Sequence, residues 1–353
     1  ADRQNNVENV FLPAGFDVNT PVTIRVRAMA LNGDGAMGNG EPTDQHFALV
    51  AFNFSEGFVP PARPVKCDFD GDGKTDLSVW RGLQSNWLIR LSGSGLLGSE
   101  LWGASYDPFN DIPVPGDYDG DGRYDIAVWR PTTGTWYVVN SATSARTIQL
   151  WGVWGDIPVP GDYDGDGKTD FAVWRGQEGG WYIVRSSDGA VQSVKWGTRI
   201  APFDDLPVPA DYDGDGKTDI AVFRRSEGVW YIIRSSNNSI QSQAWGLGTD
   251  TPVPGDYDGD GKYDIAVWRG SDTNWYLLRS SDGQVISKSW GTPADPYNDI
   301  PVPGDYDGDG KYDIAVWRPL DGTWNVIRSS DGQLLIQTHG QKGDTPAPAT
   351  GVR

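Results

Sequence analysis

Asp117-Tyr118-Asp119-Gly120-Asp121-Gly122-Arg123-Tyr124-Asp125-Ile126-Ala127-Val128-Trp129-Arg130 is the stretch on which the fold turns. Its acidic nonapeptide recurs, with one to three changes, from Asp68, Asp162, Asp211, Asp256 and Asp305, so the six copies start 49, 45, 49, 45 and 49 residues apart. Outward from each loop come an apolar run such as Ile126–Arg130, a second such as Thr135–Val139, and a segment ending in Trp-Gly. A proline-rich stretch, as in Asp111-Ile112-Pro113-Val114-Pro115-Gly116, then leads into the next loop. The runs are short, β-branched and aromatic, and are bounded by Gly, Asp, Ser and Pro, so they read as strands. No 3.6-residue periodicity supports helices. About four strands in 45–49 residues is the size of a propeller blade.

The expected fold is therefore all-β: a β-propeller of six four-stranded blades. Six loops mean six units, and the alternation of 49 and 45 closes consistently only in a ring with an even number of blades. Seven blades is the alternative, if residues before 60 donate strands. After the sixth unit, His339-Gly340 replaces Trp-Gly, and Gly343-Asp344-Thr345-Pro346 begins a further unit with no loop behind it. That tail is expected to complete the ring against the first blade. Prolines in the Pro-Val-Pro stretch suit a strand start or edge, so it is expected where the innermost strand begins.

Within each loop the carboxylates fall at positions 1, 3, 5 and 9, with Gly at 4 and 6. Alternate Asp side chains converge on one point, Gly at position 6 permits the sharp turn, and the position-7 carbonyl adds a ligand: the pattern of a hard-cation loop. With no Cys or His ligand in the loops, all-oxygen ligation favours calcium or magnesium over zinc or copper. Four carboxylates and a carbonyl form a ligand-rich cage that favours calcium, because magnesium keeps its waters. The candidate ligands are Asp68, Asp70, Asp72, Asp76 and the Lys74 carbonyl; Asp117, Asp119, Asp121, Asp125 and the Arg123 carbonyl; and Asp162, Asp164, Asp166, Asp170 and that of Lys168. The remaining loops offer Asp211, Asp213, Asp215, Asp219 and Lys217; Asp256, Asp258, Asp260, Asp264 and Lys262; and Asp305, Asp307, Asp309, Asp313 and Lys311. About six calcium ions are expected as structural staples. An acidic Gly-rich turn without metal is the bland alternative for a single copy; six copies with Asp at every ligand position argue against it.

The loops also account for the composition. Their 24 carboxylates are half of the 48 Asp and Glu in 353 residues with formal net charge −19, and six divalent ions would bring that charge to about −7. Such acidity argues against a nucleic-acid partner and against docking on anionic membranes. No stretch has the apolar length of a membrane span. A single cysteine, Cys67, leaves no intrachain disulfide and sits in a small-residue packing slot before the first loop. The first ten residues carry neither the charged leader nor the apolar core of a signal peptide, and read as a chain starting in mid-domain.

The loop-and-strand unit Asp-Tyr-Asp-Gly-Asp-Gly-Lys-Thr-Asp-Ile-Ala-Val resembles the FG-GAP/VCBS repeats of bacterial surface proteins, related to the calcium-bearing blades of integrin α-subunit heads. The resemblance covers roughly residues 60–345. It implies a propeller in an extracellular, secreted or cell-surface setting with an adhesion-like role and a protein or glycan ligand. Residues 1–53 lack the repeat and read as a partial β-sandwich segment of three strands, followed by a linker over 54–64. Asn5-Asn6-Val7-Glu8-Asn9-Val10 and Phe47-Ala48-Leu49-Val50 resemble the end of the β-sandwich that follows the catalytic domain in subtilisin-like serine proteases. Three strands cannot easily bury a core, so this segment must pack on the propeller (65–353), pair with another copy, or be the remnant of a longer parent.

Of the 17 Trp, 16 occupy three repeating slots: Trp80, Trp129, Trp174, Trp268 and Trp317, with Phe223 in the fourth unit; Trp87, Trp136, Trp181, Trp230, Trp275 and Trp324; and the Trp-Gly slot. Packing between blades is the expected role, with stacking platforms for sugar rings the rival. The Arg after the first slot is expected to pair with Asp or stack on Trp. The four-residue length difference lies in loops carrying Phe109, Phe203 and Tyr297, in alternate units. These three are candidate ligand-binding residues, the alternative being that they plug onto neighbouring blades. No catalytic residue is expected. His46 and His339 have no nucleophile motif near them, and the conspicuous Asp residues are assigned to metal. The chain reads as a non-catalytic, calcium-stabilised extracellular binding or adhesion module. The alternatives are an accessory C-terminal region of a secreted subtilisin-like protease, or a subunit of an assembly that self-associates by N-terminal strand addition.

Overall fold

The computed structural model describes residues 65–348 apart from residue 107, and the expected sandwich segment 1–53 and linker 54–64 lie outside the described residues. Six four-stranded antiparallel sheets form a six-bladed β-propeller. In blade 2 the strands Ile112–Pro113, Ile126–Arg130, Thr135–Val139 and Arg146–Leu150 lie side by side in chain order. Proline cannot donate to a ladder, and here the first strand is held to two residues at a sheet edge. Buried Val114 and Tyr118 follow that edge, whereas the last strand alternates exposed and half-buried residues. The proline-rich strand is thus innermost, as its sequence suggested. Among the described residues no helix is long and apolar enough to cross a membrane.

The two long central strands place Trp129 opposite Trp136, and both are fully buried. Their core also contains Val173 from blade 3, while Trp174 and Trp181 of blade 3 pack with Val222 of blade 4. Each apolar core therefore straddles two blades, which is why no blade could be stable alone. Indole N–H groups complete the seam. Trp129 and Trp136 both donate to the Trp151 carbonyl, at 3.1 and 3.0 Å. The Trp151 indole then donates to the Tyr182 carbonyl of the next blade at 2.9 Å. Packing between blades accounts for the two buried Trp slots, as expected.

Closure uses the tail. Thr345–Pro346 pairs antiparallel with Trp80 and Val79, so blade 1 is built from both ends of the propeller. His339 takes over the work of the Trp-Gly slot: its carbonyl accepts from Trp317 and Trp324 at 3.1 and 2.9 Å. Its Nε2 lies 3.0 Å from the Leu88 carbonyl, which requires the Nε2–H tautomer, and burial lowers the imidazole's pKa. Blade 1 is also where the repeat is least regular. Ser78 Oγ, Asn86 Oδ1 and the Trp87 indole are buried without a partner among the described residues.

Candidate metal centres

Each acidic loop ends at the start of its blade's second strand, and its carboxylates are oriented by backbone N–H groups. In blade 2, Gly120 and Gly122 donate to the two oxygens of Asp117 at 2.6 and 2.9 Å. Asp121 donates to Asp119 at 3.2 Å and Arg123 to Asp121 at 2.9 Å. Tyr118 donates to Asp125 at 2.8 Å. Gly120 has φ +79°, and a Cβ there would meet the Lys168 side chain of the next loop at 2.8 Å, so both backbone and space demand glycine.

The structure brings together carboxylates from positions 1, 3 and 9. Asp68, Asp70 and Asp76 offer oxygens within 4.8 Å of one another, as do Asp117, Asp119 and Asp125, Asp162, Asp164 and Asp170, and Asp211, Asp213 and Asp219. In the fifth loop the group is Asp256, Asp258 and Asp260. The position-7 carbonyls, of Lys74, Arg123, Lys168, Lys217, Lys262 and Lys311, accept no backbone hydrogen bond from the described residues, which leaves their oxygen lone pairs to serve as ligand atoms. Burial pushes Asp76, Asp125, Asp170, Asp264 and Asp313 at position 9 up to about 6, and raises Asp219 as well. The position-1 carboxyls of Asp68, Asp117, Asp162, Asp256 and Asp305 are raised for the same reason. An all-oxygen, partly desolvated anionic cage fits a hard divalent cation.

Sequence reasoning missed the serines that brace this cage from the turn after the third strand. Ser92, Ser141, Ser186, Ser235, Ser280 and Ser329 each donate a hydroxyl to the position-5 Asp, 20 residues upstream. Their backbone N–H groups donate to the position-9 Asp, as Ser141 does to Asp125 at 2.6 Å. In four blades a second serine, such as Ser236, reaches the position-3 Asp, here at 2.6 Å. The recurrence of Ser at that fixed distance was the available clue.

Loops of neighbouring blades are also tied to one another. The position-8 N–H donates to the position-1 carbonyl of the preceding loop in every blade: Tyr124 to Asp68, Thr169 to Asp117, Thr218 to Asp162, Tyr263 to Asp211, Tyr312 to Asp256, and Thr75 to Asp305. Six such bonds close a continuous backbone girdle. Cys67, just ahead of the first loop, is fully buried and its thiol is pushed up to about 12 by burial, so it is not an available thiolate.

A pH dependence follows for the metal-free chain. Burial places five of the position-9 carboxyls at about 6 when folded, against about 4 when unfolded, and raises Asp219 too, so the protonated form is favoured by folding. Their contribution to stability is fully present below about pH 4 and is lost as pH rises through about 6. Melting in chelator is expected to show a higher Tm at about pH 5 than at pH 7.5, and the opposite order with excess calcium, because protons compete for the ligands. The same order in both conditions would contradict this.

The far end of the same strands carries a different constellation. Arg130 forks onto Asp111 at 2.7 and 2.8 Å, and the equivalent pairs are Arg81–Asp344, Arg175–Asp156, Arg224–Asp205, Arg269–Asp250 and Arg318–Asp299. The fork uses the guanidinium edge and leaves its faces free for rings. The pairing with Asp is the first of the two expected roles, and the rings that cover the faces are Tyr and Phe, not the Trp of the second. Arg130 lies 4.6 Å from the Tyr137 ring centroid and 4.4 Å from that of Phe109. Phe203 covers Arg224 and Tyr297 covers Arg318, each at 4.5 Å. The three candidate ligand residues thus plug onto arginines of the blade that follows them, yet Phe203 and Tyr297 remain 38% and 42% exposed. Because the acidic loop begins the strand that the Arg ends, the acidic clusters and the aromatic loops lie on opposite faces of the ring.

A family model described as FG-GAP-like repeat matches residues 68–128, 117–173, 162–222, 211–267 and 256–316, which together span more than half of the chain. No curated protein matches the sequence. Among solved structures, an Agrocybe aegerita lectin that recognises non-reducing terminal N-acetylglucosamine is similar at 16% identity and TM-score 0.51, over 76% of each chain. A streptogramin B lyase is similar at 9% identity and TM-score 0.49, over 81% of this chain and 86% of that one. Virginiamycin B lyase from Staphylococcus aureus follows at 9% identity and TM-score 0.43, over 67% and 73%. At these identities the likeness is one of fold. The six repeats, their closure into one ring and the span of the family match place the chain in the FG-GAP-like repeat family.

Proposed function

We infer that the chain is a non-catalytic, calcium-rigidified extracellular binding module whose ligand is a glycan or a protein at a cell surface. The observation that carries this reading is the girdle of six acidic loops, whose convergent carboxylates sit at the joints between blades. Cages of this donor type in extracellular modules have Kd values of about 10⁻⁴–10⁻³ M, and fill where free calcium is about millimolar. That chemistry supports an extracellular setting and a structural role. The opposite face offers what a rigid scaffold is for: three half-exposed aromatic loops, Phe109, Phe203 and Tyr297, held in alternate blades. The similar lectin shows that this fold can carry sugar recognition.

A glycan array probed with the full chain in millimolar calcium tests the reading. Binding to a defined glycan class is expected, lost in chelator. Replacing Phe109, Phe203 and Tyr297 together with Ala is expected to weaken it about tenfold or more, since stacked rings are worth about 1 kcal/mol each. Turnover of the bound ligand, or the absence of any ligand on both glycan and protein arrays, would sink the proposal.

A further inference from the structure

An open cleft of about 480 Å³ runs along the seam between blades 1 and 2. Its apolar walls are Trp102, Tyr106, Phe109, Tyr137 and Ile148. Two arginines face it, and they differ in kind. Arg130 is forked to Asp111 and brings no uncompensated charge. Arg146 is exposed, lies 4.9 Å from the Trp102 ring centroid, and makes no ion pair with any described residue. Its guanidinium, neutralised by no described carboxylate, stands beside an aromatic wall where a ligand can reach it. It is also without a counterpart in the repeat. The first residue of the outer strand is Leu97, Val191, Ile240, Val285 or Leu334 in the other blades, and arginine only here.

We propose that this cleft binds a sugar ring bearing one carboxylate, a terminal uronic-acid residue, with Arg146 as the specificity-determining contact. Flat aromatic walls suit the apolar face of a pyranose, and a guanidinium matches a carboxylate with two parallel donors. The acidity of the molecule argues for a single terminal residue. A polyuronate would be repelled by a surface that keeps about seven negative charges even with six calcium ions bound. The inference rests on the binding-module reading and names a ligand class for one seam of it.

Calorimetric titration of the full chain in calcium with methyl β-D-glucuronide and with methyl β-D-glucoside separates the contributions. The glucuronide is expected to bind about tenfold more tightly, and Arg146→Gln to erase that preference, so that the two sugars then bind alike. Arg146→Lys should retain a part of it, and raising the salt should shrink it. Equal affinities in the parent chain, or a preference that survives Arg146→Gln, would overturn the inference. So would competition by N-acetyl-aspartyl amide at the affinity of the glucuronide, which would mark the cleft as a site for acidic peptides. A glycan-array hit that Arg146→Gln leaves intact would remove this inference alone, whereas blank glycan and protein arrays would remove the binding-module reading with it.

Discussion

Stripping divalent ions from the folded chain is expected to lower its melting temperature by about 5–15 °C, and readdition of calcium to restore it. A site of Kd about 10⁻⁴–10⁻³ M in 1 mM calcium stabilises the fold by about 0.4–1.4 kcal/mol, and six independent sites by about 2.5–8.5 kcal/mol. For a propeller of this size each kcal/mol moves Tm by about 2 °C. Repulsion works in the same direction. Without a cation, the buried position-9 carboxylate of the first four loops faces its neighbours at positions 1 and 3, and the girdle of N–H bonds ties each loop to the one before. Calorimetry in calcium and in chelator, with magnesium as a third condition, reads both the size of the effect and the preference between ions. An identical midpoint in calcium and in chelator would show that the cages do not hold a stabilising ion.

The other large effect concerns ring closure. Deleting the residues after Thr338 is expected to abolish the cooperative melt. It removes His339, the Thr345–Pro346 strand and Asp344 in one step. The chain itself crosses from each blade to the next, but the ring is closed by noncovalent contacts alone, where Thr345–Pro346 pairs with Val79 and Trp80 inside blade 1. The point variant Asp344→Ala isolates one of these. It leaves Arg81, whose side chain is only 23% exposed, without its forked partner, and frees the Gln341 N–H that Asp344 also accepts. A cost of about 2–4 kcal/mol, or about 4–8 °C, is expected. The same change at Asp205, inside the ring, should cost a similar enthalpy yet leave the transition cooperative. If Asp344→Ala and the truncation both melt like the parent chain, closure does not depend on the tail.

Much of this was legible in the residues. The nonapeptide at Asp117 and its five copies gave blade number and loop position. The alternation of 49 and 45 pointed to an even ring, and Gly343–Pro346 to the closing strand. His339 in a Trp slot was visible as a substitution, but its use of ring and carbonyl together was not, because the ring's partner, the Leu88 carbonyl, comes from a strand at the other end of the propeller. The serines behind the cages were hidden for a related reason. Ser141 reaches Asp121 and Asp125 only because the third strand runs back to the loop, a distance set by pairing register rather than by local pattern. The arginines were expected to pair with Asp or stack on Trp; all six pair with Asp, and the rings over them are Tyr and Phe, since the Trp side chains at those positions turn into the seams between blades.

The amino-acid sequence by itself determined the elements, their number and the chemistry of each loop, because turn geometry and strand alternation are local and repeat six times. Which residues share a site was decided by tertiary structure alone. Only ring formation sets Arg146 over Trp102 of another blade, ties Thr75 to Asp305, and stacks Phe109 on Arg130. Those contacts join residues of different blades or of distant strands, and a seam between two sheets exists only once both are formed.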